Sequence, residues 1–289
     1  LFEPSISPAS TSDNKNYARK SISAFICAGP YAIDDGLNFE PLDELLLSIP
    51  KECNFLFMFG PSLDESNSTI KMGNLAKFPE TILLEEIFEK RIFNFCKLNP
   101  TIQVFIIPSP KEASPFISPG CIPQPPIQLN GNDTNIYYDS KLAKSENNTD
   151  VPSNLVFVPN PAELLLCKSL QVSLANSDIL FNLSKEELVK NPTFSTDRMS
   201  RMCGYLLEQR SFHPLVQPSC IEFEHLNQLK MTSIPDILIV PSSLRHFVKQ
   251  LNNCLVINPG QLCRSQSGGV FCHLRVDSDG NKDVLIQKC

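Results

Sequence analysis

Ala24-Phe25-Ile26-Cys27-Ala28-Gly29-Pro30 decides the fold, and Phe55-Leu56-Phe57-Met58-Phe59-Gly60-Pro61 repeats its form further on. Each is an unbroken apolar run that stops at a glycine and a proline. A half-buried strand shows a polar residue at every second position; a run without them fits a central strand covered on both faces. Proline has no N–H to give to a ladder, so pairing has to end there. Four more runs share the form: Val104-Phe105-Ile106-Ile107-Pro108-Ser109, Leu155-Val156-Phe157-Val158-Pro159-Asn160, Ile237-Leu238-Ile239-Val240-Pro241-Ser242 and Leu255-Val256-Ile257-Asn258-Pro259-Gly260.

Working outward from these runs, helical seams lie between several of them. Leu42, Leu45, Leu46 and Ile49 recur at i, i+3, i+4, i+7, with Pro41 suited to a first turn. Leu84, Ile87, Phe88, Ile92 and Phe95 continue the pattern in a longer helix, and Met199, Met202, Cys203 and Leu206 form a third seam. Leu244, Phe247, Val248 and Leu251 have the spacing of a fourth. Ser184-Lys185-Glu186-Glu187 has the spacing of a capping box. Strand alternating with helix predicts an α/β domain. At the C-terminal end Val270–Val276 and Val284–Gln287 flank Asp279-Gly280, which predicts a hairpin.

The chain has 289 residues and starts at Leu1, so it is expected to be part of a longer protein. Residues 1–20 read as a tail or linker. An Asn- and Ser-rich stretch at about 128–153, preceded by a proline-dense loop from Pro115 to Pro126, reads as a disordered insertion within a domain spanning 21–289. The 25 basic and 31 acidic residues leave a net charge of −6, which speaks against a main nucleic-acid-binding surface. Eleven cysteines stand singly, often in apolar runs, without a CxxC, and read as structural thiols of a reducing compartment. No apolar run reaches the ~20 residues of a membrane span.

Chemistry in such a sheet belongs beyond the C-terminal strand ends. A catalytic metal would need Asp, His, Asn or Glu converging there. The ends hold Gly29, Pro30, Gly60, Pro61, Pro108, Ser109, Pro241, Ser242, Pro259 and Gly260 instead. A proline ring offers a metal no lone pair, glycine offers only backbone, and a protonated hydroxyl is a poor ligand. Polar residues nearby are Asp34, Asp35, Asp64, Asn160 and Asn258. His213, His225, His246 and His273 lack companions at ligand spacing. No GxSxG elbow or phosphate loop is present. Asp277 to Asp283 starts like a calcium loop but has Lys282 where such loops have glycine, so a hairpin is expected. No cofactor is implied, and no catalytic residue is assigned.

Several strings, in order, carry a family resemblance from Ser21 to Val276. They are Cys27-Ala28-Gly29-Pro30-Tyr31, Phe59-Gly60-Pro61-Ser62-Leu63-Asp64, Pro123-Gln124-Pro125-Pro126, Thr196-Asp197-Arg198-Met199-Ser200-Arg201, Gln209-Arg210-Ser211-Phe212-His213-Pro214-Leu215, Pro235-Asp236 through Lys249, and Val256-Ile257-Asn258-Pro259-Gly260. Together they resemble the B subunits of DNA polymerase alpha–primase, in the family of DNA polymerase alpha/epsilon B subunits. That resemblance implies a metallophosphoesterase-like fold, a two-sheet β-sandwich flanked by helices. It also implies a degenerate metal site, because the Asp-x-His, Gly-Asp, Gly-Asn-His and Gly-His-x-His signatures of hydrolytic members are replaced. The family's upstream OB and helical N-terminal domains are not evident. Pro108-Ser109-Pro110-Lys111-Glu112 departs from the Leu-Arg-Asp common at that place.

The resemblance implies a nuclear, non-catalytic accessory subunit that holds the C-terminal domain of the polymerase catalytic subunit. It would reach primase indirectly and DNA only through the complex. Asp197, Arg198, Arg245, His246 and Lys249 are the candidate partner contacts, because they lie off the apolar seams. Two rival readings are an active metal-dependent phosphoesterase using Asp34, Asp35 or Asp64, and a direct DNA-binding module.

Overall fold

The computed structural model describes residues 21–33, 37–113, 121–124, 151–187, 197–215 and 221–289. The tail at 1–20 and most of the insertion at 128–153 lie outside them. In chain order the strands are β1 Ile22–Ala28, β2 Phe55–Phe59, β3 Gln103–Ile107, β4 Leu155–Phe157, β5 Ala162–Leu166, β6 Leu170–Leu174, β7 Ile237–Ile239, β8 Phe247–Leu251, β9 Cys254–Asn258, β10 Cys263–Arg264, β11 Ser267–Gly268, β12 Val270–Val276 and β13 Lys282–Lys288. The helices are α1 Glu40–Ser48, α2 Ser68–Lys71, α3 Pro79–Ile82, α4 Asn94–Leu98, α5 Ile179–Glu186 and α6 Arg198–Glu208. Wide π-type turns over Leu83–Phe93 join α3 to α4, and a 3₁₀ segment covers Phe223–Leu229.

All six proline-ended runs are strands, and they divide between two sheets. One has the order β13-β12-β1-β2-β3-β4, with β1 to β4 parallel; the other runs β5-β6-β7-β9-β8, with β6, β7 and β9 parallel. The burial of β1 explains why its run has no polar alternation. Ala24, Ile26 and Ala28 face the second sheet in a core shared with Phe57, Phe105, Val172, Ile239 and Ile257. Phe25 and Cys27 face the opposite way, into a core with Leu42, Leu45, Leu83, Ile87 and Phe88 from the helices. The outer face of the second sheet, through Leu238, Val240 and Val256, packs on α5 and α6. The layers are helix, sheet, sheet, helix: the α/β domain that the strand–helix alternation predicts, in the two-sheet sandwich flanked by helices that the family resemblance implies. Phe57 and Phe105 stack across β2 and β3 at 5.1 Å between centroids.

The first three helical seams are confirmed. Leu42, Leu45, Ile87, Phe88, Ile92, Met202, Cys203 and Leu206 are buried. The fourth is corrected. Phe247–Leu251 is the edge strand β8, antiparallel to β9, so Lys249 belongs to a strand and Arg245 and His246 precede it. Asn252 takes a left-handed φ of 50° at the turn, and Leu251 pairs with Cys254 across it. The capping box is also corrected. Ser184 sits in the last turn of α5 and donates to the Phe181 carbonyl, while Glu187 pairs with Arg198 and Arg201. The C-terminal hairpin stands, with Asp277 accepting from the backbone of Asp279 and Asn281 and Gly280 at φ 86°. Cys167, which reads as interior, is exposed at the β5–β6 turn.

Candidate functional site

Parallel strands put their C-terminal ends on one side, and both sheets direct theirs to a common cleft of about 160 Å³. Gly29, Gly60, Pro61, Asp64, Ser109, Pro241, Ser242 and Gly260 line it. Pro108, Asn258 and Pro259 are buried in its walls, and Pro30 is half-buried beside it. The turns after β1 and β2 carry cis peptides at Gly29-Pro30 and Gly60-Pro61. They interlock: the Gly29 N–H donates to the Phe59 carbonyl, the Gly60 N–H to Ile107, and the Tyr31 hydroxyl to Phe59.

The polar groups around the cleft are tied to backbone. Asn176, after β6, donates from Nδ2 to the carbonyls of Gly60 (2.8 Å) and Pro108 (3.1 Å), joining the second sheet to the ends of β2 and β3. Asn160 donates to the Asn176 carbonyl and to Gln124 Oε1, and accepts from the Asn176 N–H. Asn258 accepts from the N–H groups of Ser242 (3.0 Å) and Gly260 (3.1 Å). Glu112 is buried and accepts from the N–H groups of Ser62 (2.8 Å) and Leu63 (2.7 Å). Burial, helped by the charge of Asp64, pushes its carboxyl up to about 7 despite those two hydrogen bonds. Asp178 accepts from the hydroxyls of Ser242 and Ser243 and lies 3.4 Å from Lys111 Nζ. Asp64 Oδ1 accepts from the Ser66 N–H.

Among the described residues the donor set does not fit a metal. No histidine lines the cleft, and its described aspartates are Asp64, held at one oxygen by a turn, and Asp178, held by two serines and a lysine. Among the described residues no three His, Cys, Asp or Glu side chains converge in a way that could hold an ion. Asp34 and Asp35 lie outside the described residues. Of the histidines, His213 is buried with neither ring nitrogen hydrogen-bonded among the described residues. His273 lies on β12, with Nε2 2.8 Å from the Ser23 hydroxyl.

Of the candidate partner contacts, Asp197, Arg198 and Lys249 lie where α6 packs beside β8, while Arg245 and His246 stand at the strand ends near Asn258 and Gly260. Asp197 caps α6 by accepting from the Ser200 N–H and pairs with Lys249 of β8; Arg198 pairs with Glu187. Arg245 is exposed, and the His246 Cβ lies 3.2 Å from where a Cβ on Gly260 would stand. Three of the five are thus engaged within the chain. Sequence reading misses Asn176, Asp178 and the burial of Glu112, since nothing local marks them. The one cue is the position of each shortly after a strand end.

The family of DNA polymerase alpha/epsilon B subunits matches this chain over residues 24–249. The DNA polymerase alpha B subunit of Schizosaccharomyces pombe is 28% identical over 271 residues, covering 90% of this chain and 43% of the relative. The protein of that name from Rattus norvegicus is 28% identical over 278 residues, covering 90% of this chain and 42% of its own. This chain therefore spans less than half the length of these curated relatives. Among solved structures, a conserved uncharacterized protein of Streptococcus pneumoniae described as a predicted phosphoesterase aligns at TM-score 0.35 and 10% identity. That alignment covers 93% of this chain and all of the other.

Proposed function

The chain belongs to the family of DNA polymerase alpha/epsilon B subunits, and from that premise we propose that it is a non-catalytic accessory subunit of DNA polymerase alpha–primase. Its two-sheet sandwich scaffolds the C-terminal domain of the catalytic subunit in the nucleus, at the initiation of replication. Primase is reached through that domain, and DNA through the assembled complex. The observation that carries the reading is what the strand-end polar groups do. Asn160, Asn176, Asn258 and Glu112 bind backbone amides and carbonyls, holding the turns rigid where a hydrolase would present ligands to a substrate.

The test is co-purification. The full-length accessory protein, co-expressed with the catalytic subunit, is expected to form a stoichiometric complex that survives gel filtration at micromolar concentration. A folded accessory protein that elutes alone overturns the scaffold. In parallel, elemental analysis and turnover of a generic phosphodiester address catalysis. Stoichiometric Mn, Fe or Zn with turnover abolished by Asp64→Ala would replace the accessory role with a hydrolytic one.

A further inference from the structure

The cleft at the strand ends is left with a defined shape once its polar walls are tied down. Pro61, Pro110, Ile122 and Pro241 supply rigid apolar surface. About 160 Å³ is the scale of a cavity that holds one benzene-sized group, so it admits one side chain and not a helix or a strand. Its charges are unequal in their engagement. Lys111 is directed to Asp178, and Arg264 donates to the carbonyl of Ser243, a lining residue, at 3.2 Å. Asp64 is half-buried, its Oδ1 is occupied by the Ser66 N–H, and among the described residues no cation pairs with it. Glu112 lies beneath: its Oε2 is 3.1 Å from where a Cβ on Gly60 would stand.

We propose that the cleft is a socket for one lysine or arginine side chain of the chain's protein partner, with the aliphatic stem against the prolines and the charged head on Asp64. This rests on the scaffold reading above and gives that reading a contact point. A long basic side chain is the group that presents an apolar stem and a cationic tip together. An arginine or lysine on a carboxylate forms a charge-assisted hydrogen bond, and the prolines keep the pair from open water. The strand-end cleft thus becomes a keyed contact.

The affinity of the full-length accessory protein for the polymerase catalytic subunit tests this. Asp64→Asn keeps the oxygen that accepts from Ser66 but removes the charge. It is expected to weaken binding about tenfold in low salt, with the melting temperature unchanged and a smaller loss in high salt. Ser177→Phe, which fills the cleft from its wall, is expected to weaken binding to a similar degree at all salt concentrations. Asp64→Asn binding within twofold of wild type overturns the socket and leaves the scaffold standing. A wild-type protein that does not bind at all overturns the scaffold, and the socket with it.

Discussion

A methyl group on Gly29 would stand 1.8 Å from the carbonyl oxygen of Pro61. No side-chain rotation relieves a clash between two backbones, so one strand end has to move. Gly29→Ala is therefore expected to cost on the order of 3 kcal/mol or more. Gly73→Ala, at φ 68° with open space around it, is expected to cost about 1 kcal/mol from backbone strain alone. Urea midpoints of the two variants check the contrast; equal shifts would refute it. Asn176 makes a second residue-scale case. Its amide satisfies two buried carbonyls from the facing sheet, so Asn176→Asp keeps the shape but turns a donor into an acceptor. Roughly 2–4 kcal/mol should be lost, read as a fall in thermal midpoint. Neither residue's role can be read locally. Gly29 and Pro30 are legible as a strand end, but the carbonyl that crowds Gly29 comes from beyond another strand. Asn176 is invisible because its partners lie 116 and 68 residues away.

At the scale of elements, legibility depends on whether burial leaves a unique mark on the sequence. Two-sided burial does: all six continuous runs ending in proline are strands, and the alternation of strand and helix follows from them. The β5–β6 hairpin leaves no such mark. Its turn is Cys167-Lys168, both at positive φ without glycine or asparagine to announce it, and Glu163 and Gln171 break the apolar runs. Phe247–Leu251 is misread as helix because, with Leu244 just before the strand, its Phe247, Val248 and Leu251 meet the i, i+3, i+4, i+7 spacing by coincidence. The arbiter is the turn that follows. Asn252 at φ 50° closes a hairpin onto β9, and asparagine tolerates that conformation where β-branched residues do not. Asn252→Gly should then leave stability within about 0.5 kcal/mol of wild type, while Asn252→Val should cost about 1–2 kcal/mol. A helix through this segment would make glycine the worse of the two, so the order of the two urea midpoints decides.

At the scale of the whole molecule, a scaffold has to keep its shape across conditions, and two buried titratable groups oppose each other. Glu112 is raised from its ordinary 4.5 to about 7 by burial. Between those values the folded chain holds more protons than the unfolded one, so its contribution is fully present below 4.5 and is lost as pH rises through 7. His213 is lowered from 6.5 to about 4, also by burial, and both ring nitrogens lack partners among the described residues. Here the folded chain holds fewer protons, so its contribution is fully present above 6.5 and is lost as pH falls through 4. Each shift corresponds to something on the order of 3 kcal/mol. From about 4.5 to 6.5 the two slopes have opposite signs and largely cancel. Substituting either group unmasks the other. His213→Leu should lose stability relative to wild type progressively as pH rises across that window, and Glu112→Gln should lose it as pH falls. Other carboxylates titrate alike in all three proteins and drop out of the differences. Urea unfolding at pH 4.5, 5.5, 6.5 and 7.5 measures them. A Glu112→Gln curve parallel to wild type would mean that Glu112 titrates normally in the fold. The buried carboxylate beneath the cleft would then be better solvated than its two backbone amides and closed walls allow.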